Sequence, residues 1–204
     1  MKIAQKYSHL NGEEYLIVHH KGLFNEIIST IESIEASYFM SKESKEKTMK
    51  GKMLYSPIEL NKTFNKKFNK LGWRESRYKY YITTDPKILP ELISIPYAEQ
   101  KQFLISHGVK DPISSYKQTD FVKDQIAVEI QFGKYAFVAF DLFVKHLLFY
   151  SGGVINLGIE VLPTKKMQSQ MSSGVAYFEG EVYNILRHGR NNPPVPLLIL
   201  GIEP

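Results

Sequence analysis

Apolar side chains in "LFNEIISTIESIEA" return every three or four residues. Phe24, Ile27, Ile28, Ile31 and Ile34 fall on one stripe, which predicts an amphipathic helix over residues 23–37. A second helix opens at "SPIE", where Ser56 suits the N-cap, Pro57 the first helical position and Glu59 the third. Its pattern turns Leu60, Phe64, Phe68 and Leu71 inward and Lys62, Lys66 and Lys70 outward, with Gly72 as the stop. "RYKYYITT" then reads as a strand broken by Asp85-Pro86. The second half alternates more regularly: a strand over 125–132, a strongly apolar helix over 135–150, and a strand over 154–162 after the Gly152-Gly153 turn. A further helix carries Val175, Phe178, Val182 and Ile185 inward and ends at Gly189, and "VPLLILGI" closes as a buried strand. Strands alternating with helices predict an α/β fold, a central mixed β-sheet flanked by helices on both faces. No repeat or linker-like shift interrupts the chain, so residues 1–204 read as a single domain.

Composition narrows the class. Apolar residues at 43% and charged residues at 23% are globular values and argue against disorder. Cysteine is absent, which excludes disulfides and thiolate zinc sites and suits a reducing cytoplasm. No apolar run approaches the roughly 20 residues that span a bilayer, and no signal sequence opens the chain, so the expectation is a cytoplasmic protein with no membrane partner. The net charge of +5 permits a polyanionic partner. Lysine and arginine are concentrated between Lys42 and Arg77, a pattern that fits either a solvated helix face or a surface that tracks phosphates.

Candidate chemistry lies in "TDFVKDQIAVEIQFGKY", residues 119–135. On a strand, Glu129 and Gln131 project to one face while Val128, Ile130 and Phe132 point to the other. Asp120, an odd nine residues before Glu129, must come from a preceding strand that returns alongside, with Lys123-Asp124 as the bend. Two carboxylates brought together repel, and a divalent cation relieves the repulsion. Oxygen ligands without neighbouring His or Cys favour magnesium over zinc. On spacing alone, an Asp and a Glu at a sheet edge more often face solvent or pair with lysine.

The stretches "YSHLNGEEY", "SKESKEKT", "LYSPIELN", "GWRESR", "QTDFVKD", "VEIQFGKYAFVAFDLFVKH", "MSSGVAYFEGEVYN" and "LGIEP" together resemble type II restriction endonucleases of the BstYI/BglII branch, within the PD-(D/E)xK nuclease fold, and most of all its BstYI members. The resemblance runs over nearly the whole chain. It implies that Asp120 and Glu129 are the catalytic metal ligands, that Mg2+ is the cofactor, and that Gln131 occupies the third catalytic position. Glutamine stands there in place of the lysine of the larger fold, as is typical of this branch. A neutral amide orients water but cannot neutralise a developing negative charge.

The same resemblance implies DNA contacts from Lys134, on the strand-to-helix turn, and from Ser172 and Ser173. Lys134 fits a hydrogen bond to a purine edge, or a phosphate contact. One serine of the pair also fits an N-cap for the helix beginning near Val175. His146 reads as a core or interface residue, and His107 and His188 as helix-end cations rather than catalytic groups. The implied protein is a homodimer that cuts double-stranded DNA at a palindromic GATC-centred site, purine-GATC-pyrimidine, leaving 5′ overhangs, with a cognate DNA methyltransferase as its functional partner in the host. Excess apolar surface on the 135–150 helix, with Phe140, Phe143, Leu147 and Leu148 as candidates, fits a subunit contact or a deep core. The alternatives are a non-cleaving sequence-specific DNA-binding protein with the same fold and a structure-selective repair nuclease.

Overall fold

The computed structural model describes residues 1–204, the side chains of Thr48, Tyr135 and Ala136 excepted. The first half contains β1 (Lys2–His9), α1 (Gly12–His19), α2 (Lys21–Glu32), β2 (Lys42–Glu43), β3 (Met53–Leu54), α3 (Pro57–Lys70), β4 (Arg74–Ile82), α4 (Leu89–Ser94) and α5 (Tyr97–Ser106). The second contains β5 (Ile113–Lys123), β6 (Ile126–Ile130), α6 (Tyr135–Phe140), a π-helical turn (Asp141–Lys145), α7 (His146–Ser151), β7 (Leu157–Pro163), α8 (Lys165–Gln168), α9 (Phe178–Arg187) and β8 (Leu197–Glu203). Six strands form one sheet in the order β1-β8-β7-β6-β5-β4. Strands β6, β7 and β8 run parallel, and β1 and β5 pair antiparallel to their neighbours β8 and β6, so the sheet is mixed as the pattern predicts.

The chain divides into two compact units, Met1–Glu75 with Thr119–Pro204, and Ser76–Gln118. In the first, the sheet is covered on both faces. Ile126, Val128, Ile130, Ile159, Val161, Leu198 and Leu200 pack with Ile27 and Ile31 of α2 and Leu60, Phe64 and Phe68 of α3. On the opposite face Leu162, Leu197 and Ile199 pack with Val138, Leu142, Phe178 and Ile185. Phe68 lies against Phe121 at 4.9 Å and edge-on to Trp73 at 5.6 Å, aromatic pairs worth about 0.5–1.5 kcal/mol each beyond their burial. The second unit is held by its own polar and aromatic contacts. The backbone N–H of Tyr81 donates to Gln100 Oε1 at 2.8 Å, Tyr81 stacks on Tyr97, and the Arg77 guanidinium lies over Tyr116.

Several boundaries differ from the periodicity. Helix α2 stops at Glu32, where Thr30 and Ser33 hydroxyls donate to backbone carbonyls of the last turns and compete with continuation. Ser56 caps α3 by accepting from the Glu59 N–H, but the Glu59 side chain bonds Ser41, so only half of the capping box forms. Leu71, expected inward, is exposed because the chain has left the helix by then. The apolar excess of the 135–151 run is also redistributed. Phe137, Phe140 and Val144 are exposed, whereas Phe143 and Leu147 pack partly against the second core cluster and Leu148 is half-buried. Among the described residues no helix is long and apolar enough to cross a membrane.

Candidate active site

Strands β5 and β6 form a hairpin closed by Asp124 and Gln125, both in the left-handed region at φ 46° and 62°. A two-residue loop that follows the sheet's twist needs positive φ at both positions, which moves the bend one residue past the expected Lys123-Asp124. The register pairs Phe121 with Val128; one step further it sets Asp120 opposite Glu129. The odd sequence offset is thus absorbed by the hairpin, and both carboxylates rise on one face while Phe121 and Val128 enter the core on the other. Asp120 is exposed, whereas Glu129 is buried.

Three donors converge on Oε1 of Glu129: the Thr119 hydroxyl, the Asp120 backbone N–H at 3.2 Å and the Lys145 ammonium at 2.7 Å. Burial pushes the Glu129 carboxyl up to about 8, Lys145 opposes that shift, and the charges of Asp120 and Asp141 add to it. Lys145 also meets Asp141 Oδ1 at 2.6 Å, one turn away across the π segment, and Gln131 Nε2 donates to Asp141 Oδ2. Burial also raises the Asp141 carboxyl, against the pull of Lys145. The two carboxylates outweigh burial at Lys145 and hold its pKa above the usual lysine value. Removing one partner from a buried pair of this kind costs about 3–5 kcal/mol, because the other charge stays behind unpaired.

Beside this network, Glu160 of β7 lies across from Glu129, and its Oε1 shares a hydrogen bond with His146 Nε2 at 2.9 Å. Burial drives the imidazole down to about 3 and the Glu160 carboxyl well above the usual range, so it favours the neutral form of each. The imidazole fits because a side chain at Gly158 would lie 2.5 Å from its Nδ1. His146 is therefore a core residue, as expected. His107 and His188 follow α5 and α9 and bond the carbonyls of Phe103 and Asn184, the helix-end arrangement read from the sequence.

Lys134 is exposed, precedes α6, and forms an isolated bridge with Val175. That bridge brings the 133–134 turn beside the loop that carries the serine pair. The serines do not cap the next helix: Val175 is held extended by the bridge, and α9 starts only at Phe178 after Tyr177. Instead the Lys42 ammonium donates to the Ser172 hydroxyl at 2.5 Å, and the Ser173 N–H and hydroxyl both donate to Glu46, at 2.8 and 3.0 Å.

Asp141 and Lys145 escaped the strand-centred reading. Their signal is the pair of charges four residues apart in the otherwise apolar "YAFVAFDLFVKHLLFY", since buried charges are almost always partnered. The donor set suits a hard divalent cation. Asp120, Glu129 and Asp141 against Lys145 leave two net negative charges when ionised, and every acidic donor is oxygen. Among the described residues no group of three or more His, Asp or Glu is placed to hold a metal ion.

A mixed sheet with acids beside the end of a central strand is compatible with many activities, and the sequence comparison decides among them. Residues 4–202 match the sequence model of the restriction endonuclease BglII/BglIII family. The chain belongs to that family and is a type II restriction endonuclease. The crystal structure of restriction endonuclease BglII complexed with a DNA 16-mer superposes with a TM-score of 0.66 at 18% identity, covering 98% of this chain and 76% of that one. Free BglII gives a TM-score of 0.59 at 18% identity, covering 100% and 80%. At this identity the likeness establishes a restriction-endonuclease fold. Among curated proteins no sequence match is found.

Proposed function

We propose that this endonuclease hydrolyses phosphodiester bonds of double-stranded DNA with Mg2+ held by Asp120 and Glu129. The observation that carries this reading is the placement of both carboxylates on one sheet face, joined through the Asp120 N–H and flanked by Gln131. A divalent cation bound there polarises the phosphate and activates water. Because its Nε2 faces the Asp141 carboxylate, Gln131 turns its carbonyl oxygen the other way, where it can orient water by accepting a hydrogen bond from it. Asp120, exposed, would be the solvent-accessible ligand. Glu129, buried and held by three donors, is the fixed ligand.

The substrate we propose is a palindromic GATC-centred site, purine-GATC-pyrimidine, cut before the G to leave 5′ overhangs, in keeping with the resemblance to BstYI members of the branch. Lys134 and the serine loop contribute readout, and Lys62, Lys66, Lys67 and Lys70, which line one concave surface of α3, suit the phosphate backbone. Residues 1–204 act as one nuclease domain within a homodimer, whose two sites match the two strands of a palindrome. The exposed strip Phe137, Phe140 and Val144 supports a subunit contact. The partner in the host is a cognate methyltransferase, and the compartment is the cytoplasm.

Supercoiled plasmid incubated with protein and Mg2+ is expected to give discrete fragments whose sequenced ends carry the GATC overhang, with Ca2+ supporting binding without cutting. Specific binding without cleavage in Mg2+ favours a non-cleaving DNA-binding protein. Nicks and smears favour a structure-selective nuclease.

A further inference from the structure

We propose that Lys145 is a positioning residue of the nuclease reaction, bridging Glu129 and Asp141 from the helix and supplying the positive charge that Gln131 leaves out of the strand. The proposal deepens the nuclease reading above and rests on it.

The geometry assigns Lys145 two tasks. Its ammonium is 2.7 Å from Glu129 and 2.6 Å from Asp141, and the side chain is only 9% exposed, so its direction is set by these two acids. Through Glu129 it fixes the buried strand acid. Through Asp141 it fixes the amide of Gln131, because both Asp141 oxygens are committed, Oδ1 to Lys145 and Oδ2 to Gln131 Nε2. An ionised carboxylate only accepts, so the Gln131 nitrogen must face it and the amide oxygen is left for water. Four side chains from a strand and a helix thus form one chain, Gln131–Asp141–Lys145–Glu129. The π turn begins and ends with its two helical members, Asp141 and Lys145, and π turns occur frequently at functional sites.

The second task is electrostatic. Without Lys145 the three acids would face a scissile phosphate with one more net negative charge, in a setting where burial strengthens each interaction. Placing the cation on the helix, behind the acids, offsets that charge without occupying the strand position of Gln131.

The test uses the full-length protein with a cognate duplex and a thermal melt as a folding control. It reads two quantities: the single-turnover rate in saturating Mg2+, and the ratio of duplex Kd without and with Ca2+. Lys145→Met is expected to lower the rate by ~100-fold, the scale of a misplaced reacting group. It should raise the Kd ratio at least about threefold, because uncompensated acids repel the phosphate more when no divalent cation is present. Lys145→Arg keeps the charge and should hold the ratio within about twofold of wild type. Asp141→Asn removes a negative charge, so it should lower the ratio while still slowing the reaction by loosening Gln131. A Lys145→Met protein with the wild-type rate and ratio overturns the proposal. If that variant does not melt cooperatively, an Asp141→Asn ratio equal to wild type overturns it instead. The ratio needs no cleavage, so a wild-type protein that binds without cutting defeats the nuclease reading separately, and the Ca2+ measurement still decides the role of Lys145.

Discussion

The backbone N–H of Asp120 donates to Oε1 of Glu129 at 3.2 Å, so the exposed acid is tied through its main chain to the buried one, and their side chains share a sheet face. Asp120→Ala leaves that main-chain bond and the core intact. Cleavage should therefore be abolished while specific duplex binding in Ca2+ and the melting temperature stay near wild type, because on the proposed reading only a metal ligand is lost. Full-rate cleavage by the variant in a single-turnover assay removes Asp120 from the site.

The side chain of Gln131 is held by Asp141, so its truncation frees one Asp141 oxygen and, on the proposed reading, would leave the attacking water unoriented. Gln131→Ala should slow single-turnover cleavage by about one to three decades, the range of a positioning group, with duplex affinity retained. An unchanged rate makes the amide purely structural.

Lys134 is exposed on the turn leaving β6 and linked to the serine loop through Val175. On the proposed reading its ammonium would meet N7 of either purine and O6 of guanine, and so would tolerate both purines at the outer pair and disfavour pyrimidines. Lys134→Ala should erode discrimination there by roughly 1–3 kcal/mol while sparing GATC, measured by competitive cleavage of duplexes differing only at that pair at fixed salt. A uniform affinity loss with a salt slope smaller by about one identifies a phosphate contact instead.

The buried His146–Glu160 pair carries opposite pH dependences. The imidazole, lowered to about 3 from 6.5, stabilises the fold above 6.5 and loses that contribution as pH falls, because the unfolded chain takes the proton first. Glu160, raised from 4.5, stabilises fully below 4.5 and loses its contribution as pH rises through its folded value. The two offset between about 4.5 and 6.5, and only the imidazole's loss acts below, at up to ~1.4 kcal/mol per pH unit. Urea unfolding of the wild type should therefore weaken more steeply between about pH 4.5 and 3.5 than that of His146→Gln. Parallel curves would mean that the folded imidazole is already charged.

Local pattern determined much of this molecule. Stripes at helical spacing marked α2 and α3, the polar residues in an apolar strand marked Glu129 and Gln131, and parity alone required Asp120 to return on a neighbouring strand. These features are legible because each rests on interactions between residues close along the chain or on the two-residue repeat of a strand. Strand β1 left little trace, since half of it is exposed and its place is set by pairing with β8 at the other end of the chain. Lys145 and Asp141 were hidden for the same reason. A lysine in an apolar helix becomes a partner of Glu129 only when the helix crosses back over the face of β6, and Ser173 meets Glu46 only when loops far apart in sequence come together. Such charge pairings depend on distances across the folded core, and the burial that makes them strong exists only once the sheet and its covering helices have assembled.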